Sequence, residues 1–168
     1  MKTTVKSTLL MLVLSLSCVQ LNASNKKNQD QHIKTNESMF LESESKYNFT
    51  ETVEKLTAEI EKNTWKLSAV HDLQETLKKS GSEVLPIKVF ALCHPKHSSK
   101  ILSRDEERII STLMPCRISV YQKSNGKTYI SRMNTGGLAK TFGGIIEEVM
   151  TASSKDVEII VGDLIIKD

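Results

Sequence analysis

The sequence predicts an α+β fold in which helices cover one face of a mainly antiparallel β-sheet. Capping-box patterns precede amphipathic segments, and runs of alternating apolar and polar residues lie between them, so helices and strands are interspersed along the chain. The pair Asn125-Gly126 separates two alternating runs and predicts a central β-hairpin. A chain of 168 residues with 39% hydrophobic and 26% charged residues suits one soluble domain.

The N-terminal segment has the composition of a signal peptide. Lys2 and Lys6 form a basic start, an apolar run covers Leu9 to Leu16, and small residues follow as far as Ala23. The apolar run is far shorter than the roughly 20 residues that a membrane-spanning helix needs. We therefore expect residues 1–23 to be a signal peptide that is removed by cleavage.

Lipidation of Cys18 is the alternative to cleavage after Ala23. The leucine that usually stands three places before a lipoprotein cysteine is replaced by Ser15, and Leu16 stands two places before it. Either route exports the protein, which predicts a location in the periplasm or cell envelope. Only the lipidated form would be attached to the membrane.

The charge balance argues against nucleic acid as a partner. The chain has 23 basic and 20 acidic side chains, and cleavage after Ala23 removes two lysines and no acid. The mature chain is therefore nearly neutral and has no basic excess for binding phosphate backbones. Residues 24–38 are polar and predict a flexible spacer, followed by a single domain over residues 39–168.

Strands and helices alternate in the first half of the domain. Alternating side chains predict strands over residues 39–47, 64–70 and 87–93. Capping boxes predict helix starts at Asn48 with Glu51, Asp72 with Glu75, and Ser103 with Glu106. The first strand, helix and second strand give a βαβ-type start. We expect Gly81 to end the second helix, and the third to turn Ile109, Ile110 and Leu113 inward before Pro115.

The second half begins with the hairpin. Two strands flank Asn125-Gly126, and this pair predicts a type I′ turn because both central residues of that turn need positive φ. Apolar residues at helical spacing between Leu138 and Val149 predict a helical region. Residues 156–168 also fit helical spacing, but their β-branched content leaves a strand open as the alternative.

The chain resembles the bacterial domain-of-unknown-function family 302 over about residues 47–150. The resemblance is carried by NFTETVEKLTAEIEKNTWKL, HDLQETLKKSG, VFALCHPKHSSKIL, LMPCRISVYQKSNGKTYISRMN and LAKTFG. It places residues on an opening helix (Thr52, Val53, Leu56), a cysteine-x-proline turn (Cys93, Pro95) and a proline-cysteine step (Pro115, Cys116). It implies a small α+β domain that forms homodimers and has no assigned activity. His94 departs from the small polar residue that is more usual at its position.

The cysteines of the predicted domain, Cys93 and Cys116, allow four interpretations. They are small core side chains, a disulfide, metal ligands or redox thiols. A disulfide needs the two strands to be antiparallel neighbours, with Cα atoms about 4.4–6.8 Å apart, and the family resemblance favours that arrangement. A site for zinc or copper would use Cys93, His97 and Cys116, because thiolates and imidazoles bind these metals.

The sequence leaves the function open between two classes. We interpret the protein as a non-catalytic exported domain without a cofactor that binds a small ligand or a partner, as a homodimer. The alternative is a thiol-redox or metal-binding protein that uses Cys93 and Cys116 with His97. A pocket is expected where the Cys93 strand ends and the Cys116 strand begins, and its candidate residues are Cys93, His94, Cys116 and Arg117.

Overall fold

The computed structural model describes residues 39–167. The predicted signal peptide (residues 1–23), the lipidation candidate Cys18 and the predicted spacer (residues 24–38) lie outside the described residues. Residues 39–167 fall within one compact unit. In this part of the chain, no helix has both the length and the apolar character that crossing a membrane requires.

Five strands form one antiparallel sheet, as the alternating runs predicted. The strands are β1 (Phe40–Glu44), β2 (Lys66–Asp72), β3 (Ile87–Cys93), β4 (Cys116–Gln122) and β5 (Thr128–Met133). Their order across the sheet is β1-β5-β4-β3-β2, and every neighbouring pair is antiparallel. The βαβ-type start is therefore split, because β1 and β2 run in the same direction at opposite edges of the sheet.

The helices follow the capping signals only in the first half of the domain. They are α1 (Phe49–Lys62), α2 (Leu73–Lys79), α3 (Pro95–Leu102), a 3₁₀ helix (Glu106–Leu113), α4 (Thr135–Ala139) and α5 (Gly144–Gly162). Asn48 accepts a hydrogen bond from the Glu51 amide at 3.0 Å, and Asp72 accepts one from the Glu75 amide at 2.9 Å. Both predicted caps are confirmed.

The predicted third helix is wrong in its position. Pro95 stands at the first position of α3, where its fixed φ and missing amide hydrogen suit a helix start. Ser103 therefore caps the C-terminus of α3 and does not open a helix. The following segment is a 3₁₀ helix that buries Ile110, whereas the side chain of Ile109 is 79% exposed and does not point inward.

The hairpin is present, but its turn differs from the prediction. The Gly126 amide bonds to the Lys123 carbonyl at 2.9 Å, and the Lys123 amide bonds to the Lys127 carbonyl at 3.0 Å. Gly126 has φ of 79°, while Asn125 is not among the described non-glycine residues with positive φ. The loop is therefore a three-residue connection with glycine in the left-handed position, and the predicted type I′ turn is wrong.

Helices α1 and α5 pack on one face of the sheet and form the main core. The sheet contributes Phe90, Ile118, Val120 and Ile130, all fully buried against α1 and α5. Burial of each such side chain contributes about 1.5–3 kcal/mol relative to exposure. The opposite sheet face contributes no described side chain to either core cluster, which confirms that the helices cover one face.

Helix α5 also forms the centre of a second core cluster. Its Val149 and Met150 pack with Ile101 of α3, Ile110 of the 3₁₀ helix and Ala139 of α4. The C-terminal part of α5 buries Val157, Ile160 and Val161 in the main core, which decides the ambiguous tail in favour of a helix as far as Gly162. One helix therefore holds both halves of the domain together.

An ion pair between a buried arginine and a partly exposed glutamate joins the sheet to α5. The Arg132 side chain on β5 is 5% exposed and donates two hydrogen bonds to the Glu158 carboxylate, at 2.8 and 2.6 Å. A third hydrogen bond runs from Arg132 to the Ser43 hydroxyl at 2.9 Å. This bidentate geometry compensates the guanidinium for its lost hydration.

We predict that Glu158→Gln destabilises the domain by about 2 kcal/mol, because it leaves a buried guanidinium without its counter-charge. Chemical denaturation measures the change in the free energy of unfolding. Glu148→Gln is the matched control, because Glu148 lies on the same helix but pairs with Lys100 at an exposed position, 61% and 52% exposed. Its loss should be much smaller than that of Glu158→Gln, because water screens an exposed pair. Equal losses in the two variants would contradict the prediction.

Candidate functional site

Antiparallel pairing of β3 with β4 brings the two cysteines to one end of the sheet. Leu92 pairs with Cys116 across the two strands, so Cys93 lies one residue beyond that pair. Both thiols are free in the structure, and the predicted disulfide stays a prediction. The predicted meeting of the Cys93 and Cys116 strand ends is confirmed by the register.

A sharp change of direction follows Cys93. His94 has extended backbone angles and occupies the N-cap of α3, and Pro95 begins the helix. The Cys93 sulfur lies 3.0 Å from the Ser98 hydroxyl, on the first turn of α3. The turn directs the helix across the end of the sheet, where its side chains meet α5.

A small cavity lies under α3, between the two cysteines, and we call it the inner cavity. Its volume is about 50 Å³. It is lined by Trp65, Leu92, Cys93, His94, His97, Ser98, Ile101, Ile110, Leu113, Met114, Pro115, Cys116, Thr135, Val149, Met150 and Ser153. A cavity of about 150 Å³ admits benzene, so the inner cavity has room for water but not for a ring-sized ligand.

Burial suppresses the acidity of Cys116. Desolvation, with a smaller contribution from the neighbouring Cys93, raises the pKa of the Cys116 thiol from 9.0 to about 11. The thiolate is the nucleophile and the metal-binding form of cysteine, so Cys116 is poorly suited to redox catalysis near neutral pH. Cys116 therefore acts as a small apolar side chain in the wall of the inner cavity.

A larger concavity opens beside the inner cavity, and we call it the sheet-end depression. Its volume is about 290 Å³. It is lined by Phe40, Val89, Leu113, Pro115, Cys116, Arg117, Ser119, Ser131, Arg132, Met133, Thr135 and Val157. Leu113, Pro115, Cys116 and Thr135 line both spaces, so these residues form the boundary between them.

The two arginines of the depression are in different electrostatic situations. Arg132 is buried and bound to Glu158, whereas Arg117 is exposed. No acidic side chain within residues 39–167 forms an ion pair with Arg117. Arg117 therefore keeps a full set of guanidinium donors at the rim of the concavity, where an anionic group can reach them.

The structure brings the predicted site residues together in two adjoining places. Cys93, His94 and His97 line the inner cavity, Arg117 lines the sheet-end depression, and Cys116 lines both. The predicted pocket at the Cys93 turn and the start of the Cys116 strand therefore corresponds to two spaces. The roles of these residues as ligand, redox or metal groups stay predictions.

No sequence pattern pointed to Asp156, a further residue of this region. Its carboxylate on α5 accepts a hydrogen bond from Nε2 of His97 at 2.9 Å, across 59 positions of sequence. The His94 and His97 ring centroids lie 4.3 Å apart, and Trp65 packs edge-on against His94 at 5.5 Å. Desolvation and, second, the nearby His97 lower the pKa of His94, which favours its neutral form.

The fold and its cavities define a small α+β domain with one five-stranded antiparallel sheet and a ligand-sized concavity at one end. The model of the family described as Domain of unknown function DUF302 matches residues 41–160, and the chain belongs to this family. The chain is similar to an uncharacterized conserved DUF302 protein from Bacillus stearothermophilus, known from a crystal structure. The TM-score is 0.67 at 19% identity, over 75% of this chain and 98% of that chain, which shows a shared fold. No curated protein matches the sequence.

We predict that Cys116 is a slow nucleophile whose alkylation rate rises with pH up to about 11. At neutral pH its thiolate fraction should be about 100-fold below that of an unperturbed cysteine, because two pKa units separate them. The rate is measured with iodoacetamide on a Cys93→Ser chain that begins at Ser24. The same variant in denaturant is the control and should titrate near the ordinary value. A folded-state plateau below pH 9 would contradict this assignment.

Proposed function

We propose that this domain is a non-catalytic binding module and that the sheet-end depression holds a small amphipathic anion. The observation that carries the proposal is Arg117, an exposed guanidinium without an acidic partner among the described residues, at the rim of a concavity with apolar walls. A guanidinium binds a carboxylate or similar anion in a bidentate manner.

The size and lining of the depression support this ligand class. Its volume of about 290 Å³ is close to the lower bound of about 300 Å³ for small-molecule pockets. Phe40, Val89 and Met133 offer apolar contact, and the hydroxyls of Ser119 and Ser131 offer hydrogen bonds. A ligand with an apolar body and one anionic group would satisfy both kinds of surface.

The raised pKa of the Cys116 thiol supports a binding role over thiol chemistry. A redox or nucleophilic cysteine works through its thiolate, and burial disfavours that form of Cys116. Cys116 also lies in the wall between the two spaces, where a small uncharged side chain completes the surface. The thiol-redox alternative has no comparable support among the described residues.

We predict that medium-chain fatty acids or aromatic carboxylates bind with an affinity that depends on Arg117. Arg117→Gln should raise the dissociation constant about 10-fold, which corresponds to about 1.4 kcal/mol for one charge-assisted contact. Isothermal titration calorimetry measures the constant. The uncharged alcohols of the same chain length should bind the wild type and Arg117→Gln equally.

The matched control for this experiment is Arg104→Gln, because Arg104 is also exposed but does not line the depression. Its affinity for the carboxylates should equal that of the wild type. Equal losses in both variants would show a general charge effect. Absence of binding across both ligand sets would reject the proposed ligand class.

Export and self-association complete the proposal. We propose that the mature chain begins at Ser24, in the periplasm or cell envelope, and that two copies form a homodimer. The homodimer is what the family resemblance implies, and its interface must leave the sheet-end depression open.

Native mass spectrometry of protein expressed from the whole coding sequence tests both statements. We predict a dimer of chains that begin at Ser24, recovered from the envelope fraction. A mass that corresponds to a lipidated N-terminal Cys18 would establish the alternative route. Chains that retain residues 1–23 would contradict export by cleavage, and a monomer at micromolar concentration would contradict the homodimer.

A further inference from the structure

We propose that His94, His97 and Asp156 form a binding site for a divalent transition metal, with Zn²⁺ as the reference ion. One ligand atom from each of these residues lies within 4.8 Å of the other two. Among residues 39–167, no other group of three histidine, cysteine or carboxylate side chains meets this distance. The site goes beyond the proposed ligand binding, because none of its residues lines the sheet-end depression.

The backbone of α3 places the two imidazoles side by side without a bound metal. His94 is the N-cap of α3 and His97 lies on its first turn, so the helix places both rings on the same side. Their centroids are 4.3 Å apart, and the indole of Trp65 packs beside both, at 5.5 and 6.1 Å. Packing of this kind restricts the rotamers of the rings and reduces the entropy lost on binding.

The third ligand comes from a separate rigid element. Asp156 projects from α5, and its Oδ2 accepts the hydrogen bond from His97 Nε2 at 2.9 Å. A metal ion would take the place of that hydrogen between the same two atoms. Metal binding would therefore tie α3 to α5 without requiring either helix to move far.

One buried nitrogen of the His94 ring lacks a hydrogen-bond partner. Nδ1 of His94 is buried and has no hydrogen-bond partner in the structure. Buried polar atoms almost always have a partner, so an orphan nitrogen on a histidine suggests a ligand. Its other nitrogen, Nε2, lies 3.5 Å from the Thr64 hydroxyl, which can hold the ring while Nδ1 binds.

The donor set defines the class of metal. Two imidazoles and one carboxylate are typical of zinc sites that keep a fourth position open, and they also bind Co²⁺, Ni²⁺ and Cu²⁺. The set differs from the thiolate set predicted from the sequence, because it contains neither Cys93 nor Cys116. The two hypotheses therefore differ in the residues that they require.

The test is zinc binding by untagged protein that begins at Ser24, after dialysis against a chelator and measured by isothermal titration calorimetry. We expect one Zn²⁺ per chain, and Co²⁺ should give visible absorption bands in the same stoichiometry. His97→Gln and Asp156→Asn should each weaken binding by about 100-fold or more, because each removes a direct ligand and the loss of an outer-shell partner alone costs about 10- to 100-fold. Asp156→Asn is conservative at a half-exposed position, so it keeps the test valid if a histidine variant fails to fold.

Two controls distinguish this site from its alternatives. His71→Gln removes an exposed histidine outside the group and should bind zinc as the wild type does. Cys93→Ser and Cys116→Ser should also retain the affinity. Loss of binding in the cysteine variants alone would assign the metal to the thiolates and overturn the proposal. Undetectable binding, or equal binding in wild type and Asp156→Asn, would overturn it as well.

Discussion

The antiparallel pairing of β3 with β4 is the constraint on which the rest of the site depends. Leu92 lies opposite Cys116, so the end of one strand meets the start of the next at the same end of the sheet. Parallel neighbours would separate these positions by a strand length, roughly 20 Å. The segment between the strands must then leave and return at one place. Helix α3 and the 3₁₀ helix form that excursion, and both cavities lie beneath or beside it.

Helix α5 packs against the segment between β3 and β4 and holds it in place. It is buried in both core clusters, and it is held to β5 by the Arg132–Glu158 pair. The inner cavity is therefore lined by side chains that also stabilise the domain, such as Ile101 and Met150. A substitution in that wall would therefore change the stability of the domain as well as the shape of the cavity. Polar side chains at the rim, such as Arg117, separate the two effects because they carry little of the core packing.

The elements that could be predicted from the sequence are those that depend on local or short-range patterns. Alternation located the strands, and the caps at Asn48 and Asp72 have the predicted hydrogen bonds. The predicted cap at Ser103 failed because Pro95 begins a helix earlier and so makes Ser103 its C-terminal end. The meeting of His97 with Asp156 could not be predicted, since it joins two helices distant in sequence and results from tertiary packing. Two spaces lie where the sequence predicted one pocket, and the roles of the residues around them stay predictions.

Cys116 shows why a conspicuous residue need not be the reactive one. Its burial raises the thiol pKa to about 11, and the same burial makes it part of the boundary between the inner cavity and the sheet-end depression. The groups that we propose as ligand contacts lie on either side of that boundary, with the Arg117 guanidinium at one rim and the His97 imidazole in the other space. Accessible guanidinium and imidazole nitrogens can exchange water for a ligand. A buried thiol in its neutral form is a poor nucleophile and a poor metal ligand. The cysteines therefore contribute to this region through packing, and in the function that we propose the ligand contacts belong to their neighbours.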